Sequence, residues 1–399
     1  MRIILFAHPT FLGSESMPRF VNMLASGLEH RGWRIEVLTP RACFCRIPAS
    51  PFIRKWLGYI DQYVLFPLTV RPKLRNYEAD TLFVFSDQAL GLWVPLVSDR
   101  CHVIHCHDFL AQQSAKGAIR ENRPAWFGRQ YQTLIWRGYS RGKYFISVSK
   151  KTRDDLHVFL PHKPLLSEVV YNGLNQRFDV RDPMAARASL GTYLGLDLSD
   201  GYILHVGGNQ WNKNRTGVLE IYESLRANHK RKLPLLMVGA VPDATLRQVY
   251  ERSKYKDDIH IVVKLSDQWL PVAYAGASVF LFPSIAEGFG WPIAEAMACG
   301  CPVITTHCAP MTEVAGDAAF LIPVKPFADR DSTWRTHAAM VLNRVLDMSS
   351  HERTKVINAG LANAQRFDTE RALDRIDGIY RQVIDLHMAR EKKTMPLAD

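Results

Sequence analysis

The sequence predicts an α/β protein with two doubly wound domains. Its 399 residues are enough for two domains of ordinary size. Short apolar runs alternate with helical patterns in two separate series, which is typical of parallel sheets covered by helices on both faces. A polar stretch over residues 176–200 separates the two series. We therefore place the domains at 1–175 and 176–368.

The first series begins with a continuous apolar run at residues 2–7, as expected of a buried parallel strand. Helical periodicity follows over 19–30, and a second helix over 151–160 has Ser149 as its predicted N-cap. Residues 42–77 interrupt the alternation of strand and helix. The predicted strands cover 2–7, 34–38, 81–85, 101–105, 144–148 and 169–171.

The second series restarts after the polar stretch and ends in a run of helices. Its predicted strands cover 201–206, 235–238, 260–263, 277–282 and 302–305. Its predicted helices cover 185–190, 216–227, 267–275, 293–299, 310–314, 332–346 and 351–366, and a last helix covers 369–390.

The net charge of +11 lies almost entirely in the first half of the chain. Residues 1–172 hold 23 Lys and Arg against 13 Asp and Glu, a net of +10. Segments 52–77 and 118–144 interleave basic and aromatic residues, which suits an anionic membrane surface or single-stranded nucleic acid. The alternative, that the aromatics are core and the charges a solvated face, stays equally open. Because neither segment carries an RNA-binding motif, we rank the membrane first and expect no nucleic-acid partner.

Cysteine spacing and hydropathy indicate a cytoplasmic protein. The seven cysteines include C-x-C pairs but no C-x-x-C pair, so we expect reduced thiols and no metal site. No apolar run approaches the roughly 20 residues that span a bilayer. The N-terminal run is short for a secretory signal and fits a first strand better.

The stretch over residues 283–302, PSIAEGFGWPIAEAMACGCP, carries the strongest chemical signal. Glu287 lies on a glycine-rich loop after a strand, and Glu295 lies on the helix that follows. Gly288 and Gly290 allow the backbone to approach a ligand closely, and the helix N-terminus favours an anion. Two carboxylates beside an anion site suit a ligand with hydroxyls next to a diphosphate. Alternatively, Glu295 is only a capping glutamate.

Two further loops predict ligand contacts. The loop GGNQWNKNR brings Gly207 and Gly208 together with Lys213 and Arg215, so backbone amides and cations are available to a phosphate, although a solvated loop is the alternative. His107 follows a strand at the ligand-binding edge of a doubly wound sheet, where a histidine can act near neutral pH. Packing at the turn is the alternative, and we favour it for His105.

The 283–302 stretch resembles the E-x7-E signature of family 4 glycosyltransferases, whose GT-B fold has two Rossmann-like domains facing across a cleft. The resemblance continues through HCHD, FISVSKKTRDDL, YNGLN, Lys213-Asn214 and ACGCPVITT, in the family's order. It implies an acceptor-binding first domain and a second domain that binds a nucleotide-diphospho-sugar. It also implies that the helix over 369–390 crosses back to the first domain.

The resemblance implies roles for individual residues. It implies that Glu287, Phe289 and Gly290 contact the sugar and diphosphate, and that Glu295 holds the ribose. It implies that Lys213 neutralises the leaving diphosphate. In the first domain it implies that His107 lies by the sugar and that Gly13 lines the approach to donor and acceptor. Two positions depart from the family. Gly208 stands where family members often have an arginine, and we hypothesise that Arg215 substitutes for that arginine. Asn175 replaces the aspartate of an N-G-x-D turn.

Taken together, these features predict a retaining glycosyltransferase. The expected donor is a UDP- or GDP-linked sugar, used without a cofactor or divalent ion. The expected acceptor is a saccharide or lipid-linked saccharide in polysaccharide assembly. By hypothesis the protein binds peripherally to the inner face of the cell membrane. Two alternatives stay open, an epimerase acting on nucleotide sugars and a non-catalytic binding or scaffold protein.

Overall fold

The computed structural model of the protein describes residues 1–13, 16–174, 176–229, 231–327 and 332–394. Asn175, which departs from the N-G-x-D turn, lies outside these ranges. Twelve strands are present in the described residues. They are β1 Arg2–Phe6, β2 Arg34–Leu38, β3 Leu82–Phe85, β4 His102–Cys106, β5 Tyr144–Ser147, β6 Leu166–Val169, β7 Ile203–Gly207, β8 Leu235–Gly239, β9 Ile259–Val263, β10 Val279–Phe282, β11 Val303–Thr306 and β12 Ala319–Ile322.

The α-helices alternate with these strands and continue to the end of the described chain. They are α1 Ser16–Glu29, α2 Pro51–Ile60, α3 Phe66–Leu74, α4 Leu110–Ala115, α5 Trp126–Tyr139, α6 Lys150–Phe159, α7 Pro183–Leu194, α8 Arg215–His229, α9 Ala244–Arg252, α10 Leu270–Gly276, α11 Trp291–Ala298, α12 Met311–Ala315, α13 Thr333–Leu346, α14 Ser350–Ala364 and α15 Thr369–Thr394. Over the described residues, none of these helices is both long enough and apolar enough to cross a membrane.

Two six-stranded parallel sheets organise the chain. Their strand orders are β2-β1-β3-β4-β5-β6 and β12-β11-β10-β7-β8-β9. Each order reverses direction beside its first strand in the chain, which is the switch point where doubly wound folds bind ligands. The prediction of two doubly wound domains is therefore confirmed. The chain divides into a unit of residues 1–119, 123–175 and 369–399 and a unit of residues 120–122 and 176–368.

The first unit is built around central strands that are apolar on both faces. All residues of β3 and β4 are buried, as parallel strands covered by helices require. The aromatic rings of Phe6 and Phe85 stack across β1 and β3 with centroids 4.6 Å apart. Helix α15 belongs to this unit and packs on it through Tyr380, whose hydroxyl lies 2.6 Å from Nε2 of His105.

The second unit is built in the same way and has its own apolar core. Strand β10 is fully buried and lies between β7 and β11. Buried residues of α8 and α13 pack on one side of this sheet, including Val218, Leu225 and Leu342. The loops that follow β7 and β10 therefore emerge next to each other at the carboxyl edge of the sheet.

Several elements differ from the sequence-based prediction, chiefly at sheet edges. Strand β6 lies three residues before the predicted 169–171 because its polar Ser167 and Glu168 break the apolar run. Strand β12 was not predicted, and it is a half-buried edge strand with a weak pattern. Helix α9 was also missed, since Leu246 is its one fully buried residue. Residues 51–74, within the predicted interruption, form α2 and α3, which are joined by the π-helical turn Asp61–Leu65.

A backbone contact between two glycines fixes α5 against the 3₁₀ segment Gln88–Leu96 in the first unit. A Cβ added to Gly138 would overlap the carbonyl oxygen of Gly91. A Cβ on Gly91 would likewise overlap the carbonyl oxygen of Ile135. Because both obstacles are backbone atoms, no side-chain rotation can relieve the overlap, and any larger residue must move the helix.

We expect Gly138→Ala to lower the free energy of unfolding by about 3 kcal/mol or more, because the added methyl separates two packed elements. The matched control is Gly378→Ala in α15, where an added Cβ meets no atom within 4 Å. That change should raise stability by about 0.5–1 kcal/mol through helix propensity. Urea unfolding of both variants measures the difference, and equal effects would contradict the packing argument.

Candidate active site

The loop after β7 holds Lys213 in a short 3₁₀ turn, Trp211–Lys213. Asn214 closes this turn in the left-handed conformation with φ 51°, which asparagine tolerates better than most residues. Its side chain then donates to the carbonyl of Pro283 at 3.0 Å. The turn therefore points Lys213 along the carboxyl edge of the sheet and ties the loop to the segment after β10.

The loop after β10 presents Glu287 and starts helix α11. Gly290 is the N-cap of α11 and has φ 101°, a conformation that favours glycine. Pro292 lies in the first turn of the helix, where no backbone N–H is needed. The N–H of Ile293 donates to the carbonyl of Gly290 at 3.0 Å, so α11 begins at the sheet edge on the loop that carries Glu287. The predicted strand, loop and helix are present, although α11 begins two residues earlier than predicted.

Lys213 and Glu287 form an ion pair between the two loops. Nζ of Lys213 lies 2.8 Å from Oε1 and 3.0 Å from Oε2 of Glu287. Ser284 donates to the same carboxylate at 2.6 Å. The side chain of Asn212 also donates to the carbonyl of Ala286 at 2.7 Å. The structure therefore brings together two residues that the sequence singled out separately.

Glu295 is buried inside the second unit and accepts a hydrogen bond from the hydroxyl of Tyr274 at 2.9 Å. It is the fifth residue of α11, and the N-cap of that helix is Gly290, so the capping alternative is wrong. Burial together with the Glu295 carboxylate raises the pKa of Tyr274. The tyrosine therefore stays protonated and holds the carboxylate in one orientation. Its assignment to a ribose stays a prediction.

Phe289 is oriented differently from what a ligand-contacting side chain would need. Its ring is buried and packs edge-on against Phe367 with centroids 5.4 Å apart, and against Trp291 at 6.2 Å. The predicted contact of Phe289 with a sugar diphosphate stays a prediction. The ring instead fixes the loop that carries Gly288 and Gly290.

Arg215 is the first residue of α8, not part of the exposed loop, and is 4% exposed. Its Nη1 donates to Oδ1 of Asn209 and, at 2.9 Å, to the carbonyl of Ala240. Among the described residues, Nε and Nη2 have no hydrogen-bond partner, and burial lowers the pKa of the guanidinium. The side chain is thus directed to the loop after β8, and its charge does not join the Lys213–Glu287 pair.

A cavity of about 480 Å³ lies beside Arg215 in the second unit. Its lining includes Asn214, Thr216, Asp243 and Lys325 but neither Lys213 nor Glu287. Lys213 and Arg215, the two cations of the predicted loop, therefore lie at different surfaces of the second unit. Gly208 precedes both cations in the loop, and a Cβ there would meet Oε1 of Gln210 at 2.5 Å. Gly207 pairs with Gly239 at the ends of β7 and β8, where the two backbones approach closely.

In the first unit, His107 follows β4 and is buried. Its Nε2 donates to the carbonyl of Ser86 at 3.0 Å, and its backbone N–H donates to Oε1 of Gln88 at 2.8 Å. Burial lowers the pKa of His107, so the ring is neutral at pH 7 and presents Nδ1 as an acceptor. His105 packs against Tyr380, and burial lowers its pKa to about 3, as the packing alternative predicted.

A second histidine lies at the same edge and was not identified from the sequence. His8 follows β1 and its Nε2 lies 2.9 Å from Oδ2 of Asp87, which follows β3. Burial alone would raise the pKa of Asp87, but the hydrogen bonds from His8 and from the backbone N–H of Ala89, together with the nearby imidazoles, lower it. The sequence did contain a signal for both residues, because each lies within two positions after a predicted strand, as His107 does.

Gly13 ends the 3₁₀ turn Thr10–Leu12 with φ 70°, and no atom lies within 4 Å of an added Cβ. Its conformation explains why glycine stands there. Its predicted contact with donor or acceptor stays a prediction. Among the described residues, no group of three or more His, Cys, Asp or Glu is placed to hold a metal ion.

Segments 52–77 and 118–144 meet on the surface of the first unit. Phe52, Trp56, Trp126 and Phe127 are exposed and form what we call the aromatic surface, in which Trp56 and Phe127 have centroids 6.0 Å apart. By contrast, Tyr63, Tyr131 and Trp136 pack against the core. The core interpretation is therefore correct for the inner rings and wrong for the outer ones.

Solved structures show the same fold as this chain. Sucrose-phosphate synthase from Thermosynechococcus elongatus matches with a TM-score of 0.73 over 97% of this chain and 100% of that chain, at 17% identity. HepE from Anabaena, solved with UDP and glucose, matches with a TM-score of 0.68 over 96% of this chain and 100% of that chain, at 17% identity. At this identity the likeness shows the fold, which is the GT-B fold.

Family comparisons then identify the chain. The model of "Glycosyl transferases group 1" matches residues 193–332, and that of "Glycosyltransferase Family 4" matches residues 17–178. O-antigen chain mannosyltransferase B of Escherichia coli is 33% identical over 183 residues, which are 45% of this chain and 46% of that protein. The match thus spans about half the length of this curated relative. The chain belongs to glycosyltransferase family 4.

We expect Tyr274→Phe to lower the free energy of unfolding by about 1.5–3 kcal/mol, because a buried carboxylate loses a hydrogen-bond donor. Tyr202→Phe is the matched control, since its buried hydroxyl donates to a neutral carbonyl, that of Ala273, at 2.6 Å. Its loss should cost about 1 kcal/mol. Thermal and urea unfolding at neutral pH compare the two, and a larger effect in the control would contradict the role given to Glu295.

Proposed function

We propose that the protein is a retaining hexosyltransferase. It transfers a sugar from a nucleotide-diphospho-sugar to a hydroxyl of a saccharide or lipid-linked saccharide in polysaccharide assembly. The observation that carries the proposal is the Lys213–Glu287 pair next to the N-terminus of α11, in a chain of glycosyltransferase family 4. The pair offers a cation and hydrogen-bond acceptors at one point of the sheet edge.

The chemistry follows from what each group can accept or donate. When the glycosidic bond to the diphosphate breaks, negative charge develops on the leaving oxygen. Lys213 is held in place beforehand, and the positive end of the α11 dipole begins on the loop that carries Glu287, so both stabilise that charge without reorganising. Glu287 accepts hydrogen bonds from sugar hydroxyls and Glu295 from ribose hydroxyls. Because these groups supply the compensating charge, we propose that transfer requires no divalent ion.

The donor we favour is a nucleotide-diphospho-mannose. Support comes from the 33% identity with an O-antigen chain mannosyltransferase. The alternative donor is a UDP-linked sugar, because the similar HepE structure holds UDP and glucose. GDP-mannose and UDP-glucose, compared as ligands and as substrates, distinguish the two. The product distinguishes transfer from epimerisation, since only transfer yields a new glycoside.

The aromatic surface supports a lipid-linked acceptor at the cytoplasmic face of the membrane. Phe52 and Phe127 are 70% and 66% exposed, which is unusual for phenylalanine in water. Arg54 and Lys55 on α2 and Arg129 on α5 are exposed beside them. Exposed aromatic rings flanked by cations suit the interface of an anionic bilayer. We propose that the protein binds there peripherally.

We expect Lys213→Met to weaken binding of the nucleotide sugar about 10- to 100-fold, because a charge-assisted contact to the diphosphate is lost. Glu287→Gln should lower kcat more than it weakens nucleotide binding, because it acts on the sugar. Calorimetry with GDP-mannose and UDP-glucose, and initial rates measured in EDTA, give both quantities.

Lys325→Met is the matched control for the lysine change. Lys325 is also 19% exposed at its side chain and also pairs with a glutamate, Glu220, at 2.7 Å. It should leave donor binding unchanged. If both lysine variants bind the donor equally well, the assignment of Lys213 is wrong. If the wild-type chain binds neither donor, the scaffold alternative replaces the proposal.

We expect the double variant Phe52→Ser, Phe127→Ser to bind anionic phosphatidylglycerol liposomes at least about 10-fold more weakly than wild type, because two rings no longer enter the interface. Sedimentation at low salt measures the bound fraction. Val158→Ser is the control, since Val158 is 78% exposed on α6, outside the aromatic surface. Wild-type protein that ignores these liposomes, or a double variant that binds them normally, would end the membrane proposal.

A further inference from the structure

The carboxyl ends of three neighbouring strands bring His8, Asp87 and His107 to one edge of the first unit. Strand β1 pairs with β3, and β3 pairs with β4. Each of the three residues follows its strand directly or within two residues. In parallel sheets this edge is where ligands bind. The three side chains are therefore a cluster made by the topology, although they are far apart in sequence.

Within this cluster, the His8 side chain is held in place through Nε2, and its Nδ1 has no hydrogen-bond partner among the described residues. Its Nε2 lies 2.9 Å from Oδ2 of Asp87, and its carbonyl accepts from Oγ1 of Thr39 at 3.1 Å. The second oxygen of Asp87 accepts from the backbone N–H of Ala89 at 3.0 Å. The carboxylate is thus fixed at the start of the 3₁₀ segment Gln88–Leu96, and it fixes the imidazole in turn.

The pairing determines which ring nitrogen of His8 can act as an acceptor. A carboxylate can only accept, so Nε2 of His8 must donate to Asp87. In the neutral ring, Nδ1 then carries the lone pair. Nδ1 forms no hydrogen bond with any described residue, and the His8 side chain is 18% exposed. An oriented acceptor on a partly open edge is suited to a ligand that donates an O–H.

We propose that His8 binds a hydroxyl of the acceptor saccharide through Nδ1, and that Asp87 is the residue that positions it. The inference rests on the proposed glycosyl transfer, in which the first unit holds the acceptor. His107 differs from His8, because its Nε2 is taken by a backbone carbonyl and its ring lies edge-on to Phe20 at 4.6 Å. His8 is instead held by the carboxylate of Asp87, so its orientation depends on one side chain that can be substituted.

The experiment uses His8→Gln in the full-length protein. The amide of glutamine can still donate to Asp87 from near the Nε2 position, but it leaves no acceptor where Nδ1 was. We expect kcat/KM for the acceptor to fall roughly 10- to 100-fold, as for loss of one hydrogen bond in a buried site. The Kd for the nucleotide sugar and the thermal midpoint should match those of wild type.

Asp87→Asn tests the positioning role. The asparagine amide can donate to Nε2, which leaves the proton of the neutral ring on Nδ1 and removes the acceptor. We expect the same loss as for His8→Gln, and no further loss in the double variant, because both changes remove one function. His157→Gln is the control, since His157 pairs with Ser167 at 2.9 Å on the exposed surface of the same unit.

The outcomes separate this inference from the proposed function. If wild type transfers the sugar and His8→Gln transfers it equally well, the inference is overturned and the proposed function stands. If His8→Gln loses donor binding or stability in parallel with transfer, His8 is structural and the inference is overturned. If wild type binds no nucleotide sugar, both fail. Selective loss of acceptor kinetics in both single variants supports the inference.

Discussion

The ion pair between Lys213 and Glu287 links two loops whose residues are 74 positions apart in sequence. Further hydrogen bonds join the same two loops. Ile285 donates its backbone N–H to the carbonyl of Asn212 at 2.7 Å, and the hydroxyl oxygen of Ser284 lies 2.7 Å from the same carbonyl oxygen. The loops after β7 and β10 are therefore joined before any ligand arrives. The start of α11, the orientation of Glu287 and the reach of Lys213 all depend on this connection.

Most of the fold could be predicted because parallel strands that are buried on both faces leave continuous apolar runs in the sequence. Strands β1, β3, β4 and β10 illustrate this. The pattern fails where burial is partial, as at the edge strands β6 and β12, in which every residue except Ile322 is only half buried. Helix α9 was missed for the same reason, since one buried leucine gives no periodic stripe.

The site could be predicted only as far as local spacing carries information. Glu287 and Lys213 were identified because each lies on a glycine-containing loop after a strand. Their pairing could not be foreseen, because it depends on β7 and β10 being neighbours. The inward ring of Phe289 and the burial of Arg215 depend on packing partners elsewhere in the chain. His8 and Asp87 were missed because neither stands in a recognisable motif, although both obey the rule that drew attention to His107.

The resting contact between Lys213 and Glu287 also affects which molecules can occupy the site. Lys213 is already neutralised, so a small anion such as inorganic phosphate must displace a carboxylate to reach it. A ligand that brings an anion for the lysine and hydroxyls for the glutamate satisfies both partners at once. In the proposed reaction, the ion pair therefore favours a diphosphate that carries a sugar over inorganic phosphate, which offers the charge without the hydroxyls.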